Sequence, residues 1–213
     1  PVGIVANQHH RIRSAKGEFQ FGGVMYVDSA EKAARFVMNC NQDWLPIIFL
    51  QDVNGFMVGR ESERAGIIKA GTKLVNALSN SRVPKITVIT GGSFGAGNYA
   101  LCGKAFDPRL IAAWPNARCA VMGAEQATST LLDIHVASLQ RQGHAADAEE
   151  LAKLRDRIKS DYERQMDVRY GAARGWVDAI IEPAQTRSFL VSALEIATRS
   201  ANEEPYRVGV FQV

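Results

Sequence analysis

The chain of 213 residues lacks long hydrophobic runs, a strong charge of either sign and any cysteine framework. No apolar stretch approaches the ~18 residues of a membrane span, and no segment has the charged, apolar and small-residue order of a secretory signal. Cysteine is scarce. Cys40, Cys102 and Cys119 are odd in number, sit in apolar contexts and have neither metal nor redox spacing, so they read as buried thiols of a reducing compartment. The 25 basic and 22 acidic residues leave a net charge of only +3 and are interspersed. Without a basic stripe carrying interleaved aromatics, nucleic-acid binding has no support. There is no repeat at solenoid period and no low-complexity linker. His9 and His10 fall in a polar, basic stretch with nothing at metal-ligand spacing, and Trp44, Trp114 and Trp176 read as packing residues.

What is present is enough apolar content, 46%, for one large α/β domain. Strand-like and helix-like segments alternate. Val2 to Ala6 and Val24 to Val27 read as short strands, separated by an exposed loop over His9 to Gln20. Asp28 and Ser29 are the expected cap of a helix whose apolar face is Ala33, Ala34, Phe36, Val37 and Cys40. Pro46 to Leu50 is a continuous apolar strand of the kind buried inside parallel sheets. Asn54 to Gly59 is a Gly-bounded loop carrying three large apolar side chains, and Glu61 to Leu78 reads as one long amphipathic helix. Lys85 to Thr90, Leu110 to Trp114, Cys119 to Met122 and Val177 to Ile181 are further strands. Helices are expected over Phe94 to Gly103, after Gly123, over the charged Gln140 to Arg164 with a break near Gly143, and over Pro183 to Arg199. This alternation predicts helices layered on a mainly parallel sheet. The chain opens at Pro1 directly in a strand-like run with no initiator Met, which sets the expectation of a piece of a longer polypeptide.

The most informative run is Lys85 to Gly103. It leaves a β-rich strand, passes four glycines in the seven residues Gly91 to Gly97, and resumes as an Ala-containing helix. Gly91-Gly92-Ser93-Phe94-Gly95 fits the G-x-S-x-G nucleophile elbow. That reading needs an acid and then a histidine downstream. Asp133 and His135 are two residues apart and share no helix face, while His144 sits in a charged, solvated stretch. Gly95-Ala96-Gly97-Asn98-Tyr99-Ala100 fits the dinucleotide fingerprint, but Asp107 comes too early for the ribose acid and Glu125 follows the next strand at a turn into a helix. A third reading is a backbone oxyanion site, because the first N–H groups of a helix have no intrahelical acceptor and lie at the positive end of its dipole. A fourth is a turn that only packs a helix on the sheet.

Several ordered blocks then resemble one family. Gln51-Asp52-Val53-Asn54-Gly55-Phe56-Met57-Val58-Gly59 is similar to a characteristic stretch of the biotin-dependent acyl-CoA carboxyltransferases. Val83 to Ile89, Gly91 to Tyr99, Trp114 to Arg118, Val121 to Ala127 and Val177 to Arg187 resemble that family's later blocks, in the same order. The likeness runs over nearly the whole chain and looks most like the methylcrotonyl-CoA and geranyl-CoA carboxylase types. It covers the carboxyl-terminal half of a β subunit that has two crotonase-like (spiral ββα) domains, so residues 1–213 would be a single carboxyltransferase C-terminal domain.

The resemblance implies an enzyme that moves CO2 from carboxybiotin to an acyl-CoA. Biotin would be carried on a carrier or biotin carboxylase partner, with the site at the interface of a homodimer or higher oligomer. Charge on the ureido oxygen would be held by paired backbone amides, which map to Ala96 and Gly97, with Gly95 allowing the turn. Gly55, Phe56, Met57 and Val58 would line the biotin ring, although Phe56 to Val58 read equally well as the core of a folded loop, and Tyr99 could face the acyl pocket or the core. The location implied is cytoplasmic, or the mitochondrial matrix in a eukaryote. Between Asn7 and Gly23 a longer loop departs from the pattern and resembles the glutaconyl-CoA decarboxylase carboxyltransferase. Acyl group and direction of reaction therefore stay open, with propionyl-CoA carboxylase as a further option. Two other classes remain. A crotonase-type hydratase or hydrolase would need a side-chain acid or base, for which Glu125 is the candidate; the other is a non-catalytic assembly module.

Overall fold

A computed structural model describes residues 1–14, 17, 19–143, 147–199, 206, 207 and 209. The first half comprises β1 (Gly3–Ala6), β2 (Ile12–Arg13), β3 (Phe19–Gln20), β4 (Val24–Met25), α1 (Val27–Gln42), β5 (Ile47–Val53), β6 (Gly55–Phe56), α2 (Arg60–Arg64) and α3 (Ile67–Ser79). There follow β7 (Lys85–Phe94), α4 (Gly95–Ala100), β8 (Leu110–Ala113), β9 (Arg118–Ala120), α5 (Ala124–Arg141), α6 (Ala148–Met166), α7 (Val168–Ala172), β10 (Ala179–Ile180) and α8 (Thr186–Ala197). His144, assigned above to a solvated stretch, lies outside the described residues.

The main sheet has the order β1-β5-β7-β8-β10, and every neighbouring pair is parallel. β9 pairs with the far end of β7, so six strands share the sheet. The central strands are buried on both faces, which is why Ile47-Ile48-Phe49-Leu50 and Ile86-Thr87-Val88-Ile89 are nearly unbroken apolar runs. On one face, α1 and α3 bring Val37, Ala34, Leu74 and Ala70 against Ile47 and Phe49. On the other, Phe189 and Leu190 of α8 pack on Val88, Ala112 and Ile181. The α/β layering read from the sequence is therefore present.

The boundaries differ in instructive ways. The expected helix over Glu61 to Leu78 is two helices, broken where Gly66 takes a left-handed φ of 88°. Neither Asp28 nor Ser29 is the cap of α1. Tyr26 holds that position, and its N–H donates to Ser29 Oγ at 2.8 Å, with Ser29 at the third helical residue. The loop His9 to Gln20 contains a two-stranded hairpin, β2 with β3, on which Arg11 stacks over the Phe19 ring at 3.9 Å. Trp114 packs as expected, its indole N–H reaching Thr186 Oγ1 at 2.9 Å. Trp44 and Trp176 do not pack fully, being 43% and 49% exposed. Trp44 has a left-handed φ of 55° because it ends α1 where a glycine is usual. Leu45 N–H returns to Cys40 O at 2.8 Å to close that turn.

The approach to β7 is held by one buried amide. Asn41 Nδ2 donates to Val37 O, and its Oδ1 accepts from Arg82 N–H at 2.8 Å and Ser81 Oγ at 3.1 Å. Asn41→Leu removes the buried amide that these partly buried donors share and is expected to cost about 2 kcal/mol. Urea denaturation of the purified chain measures it, and a change below ~0.5 kcal/mol would remove Asn41 from that role.

Candidate active site

Parallel pairing places the carboxyl ends of β5 and β7 on one rim, where α/β sheets bind ligands. The two strands stay in step from Ile47 with Lys85 to Gln51 with Ile89, and resume with Val53 opposite Ser93. Between these points Asp52 alone faces Thr90, Gly91 and Gly92. Such a bulge leaves backbone groups without ladder partners, and side chains take them up. Thr90 Oγ1 donates to Gln51 O at 3.1 Å, and Gly92 N–H donates to Asp52 Oδ1 at 2.7 Å. Gly91 and Gly92, the first two of the four glycines expected to form a turn, therefore belong to β7. A Cβ on Gly91 would collide with the Asp52 carboxylate, and one on Gly92 would lie 2.8 Å from the Phe94 ring.

The turn itself is sharper and later than expected. It occurs at Gly95, whose φ is +51° and where a Cβ would lie 2.9 Å from Val121 O. α4 follows directly, and no side chain caps it. Its first-turn N–H groups, those of Ala96 and Gly97 among them, have no intrahelical acceptor. Ala96 is exposed and Gly97 buried. Gly97 has no room for a side chain, because a Cβ would lie 2.6 Å from Val53 Cγ2 and 3.1 Å from Gly55 Cα. This contact brings the 54–59 loop against the start of α4. Residues at the ends of three strands thus converge: Gly55 after β5, Gly95 to Gly97 after β7, and Val121 after β9.

Apolar side chains flank the amides unevenly. Val58 is 76% and Val121 74% exposed, while Met57 is half-buried. Phe56 turns inward, packing on the main core with its ring against Gly71 of α3, so it anchors the loop rather than offering a free wall. Tyr99 is half exposed and meets Phe106 edge-on at 5.9 Å, which excludes the core placement that its helical context allowed.

The side chains with apparent chemistry are committed elsewhere. Ser93 is buried, donating to Gln51 Oε1 at 2.6 Å and accepting from Asn98 Nδ2 at 2.8 Å. Gln51 Nε2 continues the network to Leu101 O at 2.6 Å. Sequence reasoning missed Gln51, Asp52 and Asn98 as builders of this turn, although a polar pair ending an apolar strand was a visible signal. Glu125 is an exposed surface anion rather than a site acid. It pairs with Lys159 and with Arg155 at 3.3 Å, tying α5 to α6; the Lys159 contact above all holds its carboxyl below the usual carboxylate range. Burial pushes the Cys102 thiol up to about 12 and the half-buried Cys119 up to about 11, and Cys40 is raised as well, again chiefly by burial. Cys119, Gln51 and Asn98 border a cavity of about 370 Å³ behind the turn. A larger groove of about 740 Å³ runs along β1 and α1, and none of Gly55 to Val58 or Gly95 to Tyr99 lines it. Among the described residues no cluster of three or more His, Cys, Asp or Glu could hold a metal, and no helix is long and apolar enough to cross a membrane. What remains at the rim are the uncapped first-turn N–H groups of α4.

The Carboxyl transferase domain model matches residues 1–209. The chain belongs to that family. Carboxyl transferase relatives include the biotin-dependent 3-methylcrotonyl-coenzyme A carboxylase beta1 subunit of Mycobacterium tuberculosis, 41% identical over 213 residues, covering all of this chain and 37% of that protein. The mitochondrial methylcrotonoyl-CoA carboxylase beta chain of Arabidopsis thaliana is 44% identical over 191 residues, covering 90% of this chain and 32% of that one. Among solved structures, the beta subunit of geranyl-CoA carboxylase from P. aeruginosa superposes with a TM-score of 0.75 at 38% identity, over 95% of this chain and 38% of that one. Transcarboxylase 12S, described as a hexamer assembly, gives 0.78 at 34% identity over all of this chain and 38% of its own. The chain thus spans about a third of the length of these relatives, 32–38%. Its α/β architecture is the crotonase-like fold of carboxyl transferase domains.

Two outcomes follow from this geometry. Ser93→Ala leaves Gln51 Oε1 and Asn98 Nδ2 without their buried partner and is expected to destabilise the chain by about 2 kcal/mol in urea; an unchanged midpoint would show that the network is not needed. Iodoacetamide should label the native thiols slowly at pH 8, with a rate rising ~10-fold per pH unit to pH 9.5, because the protonated forms are favoured. Rapid labelling at pH 8, followed by mass spectrometry, would reveal an activated cysteine.

Proposed function

We propose that this chain is the biotin-facing C-terminal domain of the carboxyltransferase subunit of a biotin-dependent acyl-CoA carboxylase. The acyl group proposed is of the methylcrotonyl or geranyl kind, following the names of the relatives. The observation that carries the reading is the uncapped first turn of α4, packed against the strand-end loop at Gly55, with its neighbouring serine buried and engaged. Neutral, preorganised N–H donors suit a reaction in which negative charge develops on an oxygen and the proton acceptor arrives with the reactants.

The residues fit such a group: two donors lie beside apolar side chains of two rim loops. Biotin, borne on a partner protein, supplies the carboxyl group to be transferred. The amides of Ala96 and Gly97 donate to the oxygen that gains charge, and the left-handed Gly95 makes the turn from which α4 starts. Val58 and Met57 offer apolar contact beside them, Gly55 lets α4 approach, and Phe56 pins the loop to the core. Tyr99, exposed three residues along α4 from Ala96, stands on the acyl side. The rest of a longer subunit supplies the acyl-CoA pocket. A homo-oligomer brings the two halves together, and a biotin carboxyl carrier or biotin carboxylase subunit is the partner. The locations proposed are the mitochondrial matrix in a eukaryote and the cytoplasm otherwise; the names of the Arabidopsis and Drosophila relatives, which print a mitochondrial location, support the first as far as the organelle.

The full-length subunit, combined with its biotin-bearing partner, should incorporate labelled bicarbonate into 3-methylcrotonyl-CoA or geranyl-CoA. Gly97→Val forces α4 away from Val53 and should lower turnover by ~100-fold or more with the oligomer unchanged in size-exclusion chromatography. Unaltered turnover would remove Gly97 from the site. Failure of the wild-type assembly on these and on propionyl- and acetyl-CoA would overturn the enzyme reading.

A further inference from the structure

The polar cluster around Asp52 is larger than the bulge requires. Asn7, just past the end of β1, grips the Asp52 backbone from both sides: its Oδ1 accepts from Asp52 N–H at 2.9 Å and its Nδ2 donates to Asp52 O. His9 Nε2 lies 2.8 Å from Asp52 O and 2.8 Å from Asp52 Oδ2. The other carboxylate oxygen, Oδ1, is the acceptor for Gly92 N–H. His9 is itself wedged in place. A Cβ on Gly22 would overlap its backbone, and one on Gly23 would lie 3.0 Å from its ring. Gly23 N–H donates to Gln8 O at 2.7 Å, and Gly23 O accepts from Asn54 N–H at 2.6 Å. The root of the 7–23 segment is thereby tied to the end of β5 and, through Asp52, to Gly92 of β7, four and five residues before the Ala96 and Gly97 amides.

We propose that Asp52 is a positioning residue for the α4 amides, and that the root of the 7–23 segment, through Asn7 and His9, holds Asp52 for that task. A strand end with three residues opposite one has many ways to fold. The carboxylate accepts the Gly92 N–H and so selects one of them, which sets where β7 ends and in which direction α4 starts. Asn7 removes the freedom of the Asp52 backbone, and His9 occupies the second carboxylate oxygen so that the first stays turned to Gly92. The segment that sets this chain apart from the expected pattern thus acts on the site by bracing it from behind, without contacting any reactant. A backbone donor displaced by about 1 Å loses much of its value to a transition state, on the order of 100-fold in rate. This role rests on the carboxyltransferase reading above for its catalytic consequence, but not for its structural one.

Two readouts separate these. In the full-length subunit, Asp52→Ala should raise hydrogen–deuterium exchange of the peptide over residues 91–98 by roughly 10-fold or more, leaving β1 and β8 unchanged. In the biotin-loaded assembly the same variant should lower kcat by about 10–100-fold with the acyl-CoA KM within ~3-fold. Asp52→Asn keeps the acceptor for Gly92 and should restore both to within ~3-fold of the wild type. Asn7→Ala and His9→Gln should each raise exchange over 91–98 by ~3-fold, and they carry the test where Asp52→Ala fails to fold. Unchanged exchange in the folded variants overturns the positioning role, as does a folded Asp52→Asn protein that behaves like Asp52→Ala. Altered exchange in an assembly whose wild type transfers no carboxyl group leaves the positioning role standing and sinks the proposed function instead.

Discussion

The structure around the site depends on one interruption in the pairing of two parallel strands. β5 and β7 run together in register until Asp52, where one residue must answer three. A buried strand cannot leave its N–H and C=O groups unpaired, since each would cost on the order of 1–3 kcal/mol. The bulge therefore survives because Thr90, Asp52, Asn7 and His9 provide side-chain partners. Everything downstream inherits that solution. It requires glycine at 91 for the carboxylate, sets the end of β7 at Phe94, and delivers the chain to Gly95 in a left-handed conformation.

Beneath the rim, a second layer of polar contacts fixes the same segment from inside. Gln51, Ser93 and Asn98 join β5, β7 and α4 through short hydrogen bonds, and Gln51 reaches the last turn of α4 at Leu101. Such a network within an apolar core is costly unless complete, and a complete one specifies a single geometry. The consequence is chemical as well as structural. A serine that could have been a nucleophile serves as a bridge, and the groups left without an intrahelical acceptor at the start of α4 are backbone amides, whose direction no rotamer can change.

The periphery follows different physics. α5 has only Ala127 and Thr128 buried and α6 has no buried residue, so neither owes its place to a deep apolar face. Contacts of Glu125 with Arg155 and Lys159 link the two helices at the surface, where ion pairs contribute little each. The long helical layer meets the sheet chiefly at β9, just past which Met122 N–H donates to Tyr162 Oη at 3.4 Å.

Periodicity and composition were enough to read the parallel α/β layering, the buried strands at 46–50 and 85–90, and the concentration of interest at the glycines before α4. Those features depend on local chemistry: apolar runs, glycine and the absence of competing charge clusters are properties of the chain itself. The ordered motif blocks likewise pointed to the family that the match over residues 1–209 bears out. Tertiary structure alone decided which glycines turn and which merely make room, because that depends on Asp52, some forty residues away, approaching Gly91 and Gly92. It also decided that Phe56 faces inward while Val58 faces out, that Tyr99 is exposed, that Glu125 is spent in a surface ion pair, and that Asn7 and His9 reach the rim. Local sequence sets what each segment can become. Contacts between segments distant in the chain, each with its own demand for a hydrogen-bond partner or a space, set which possibility is realised.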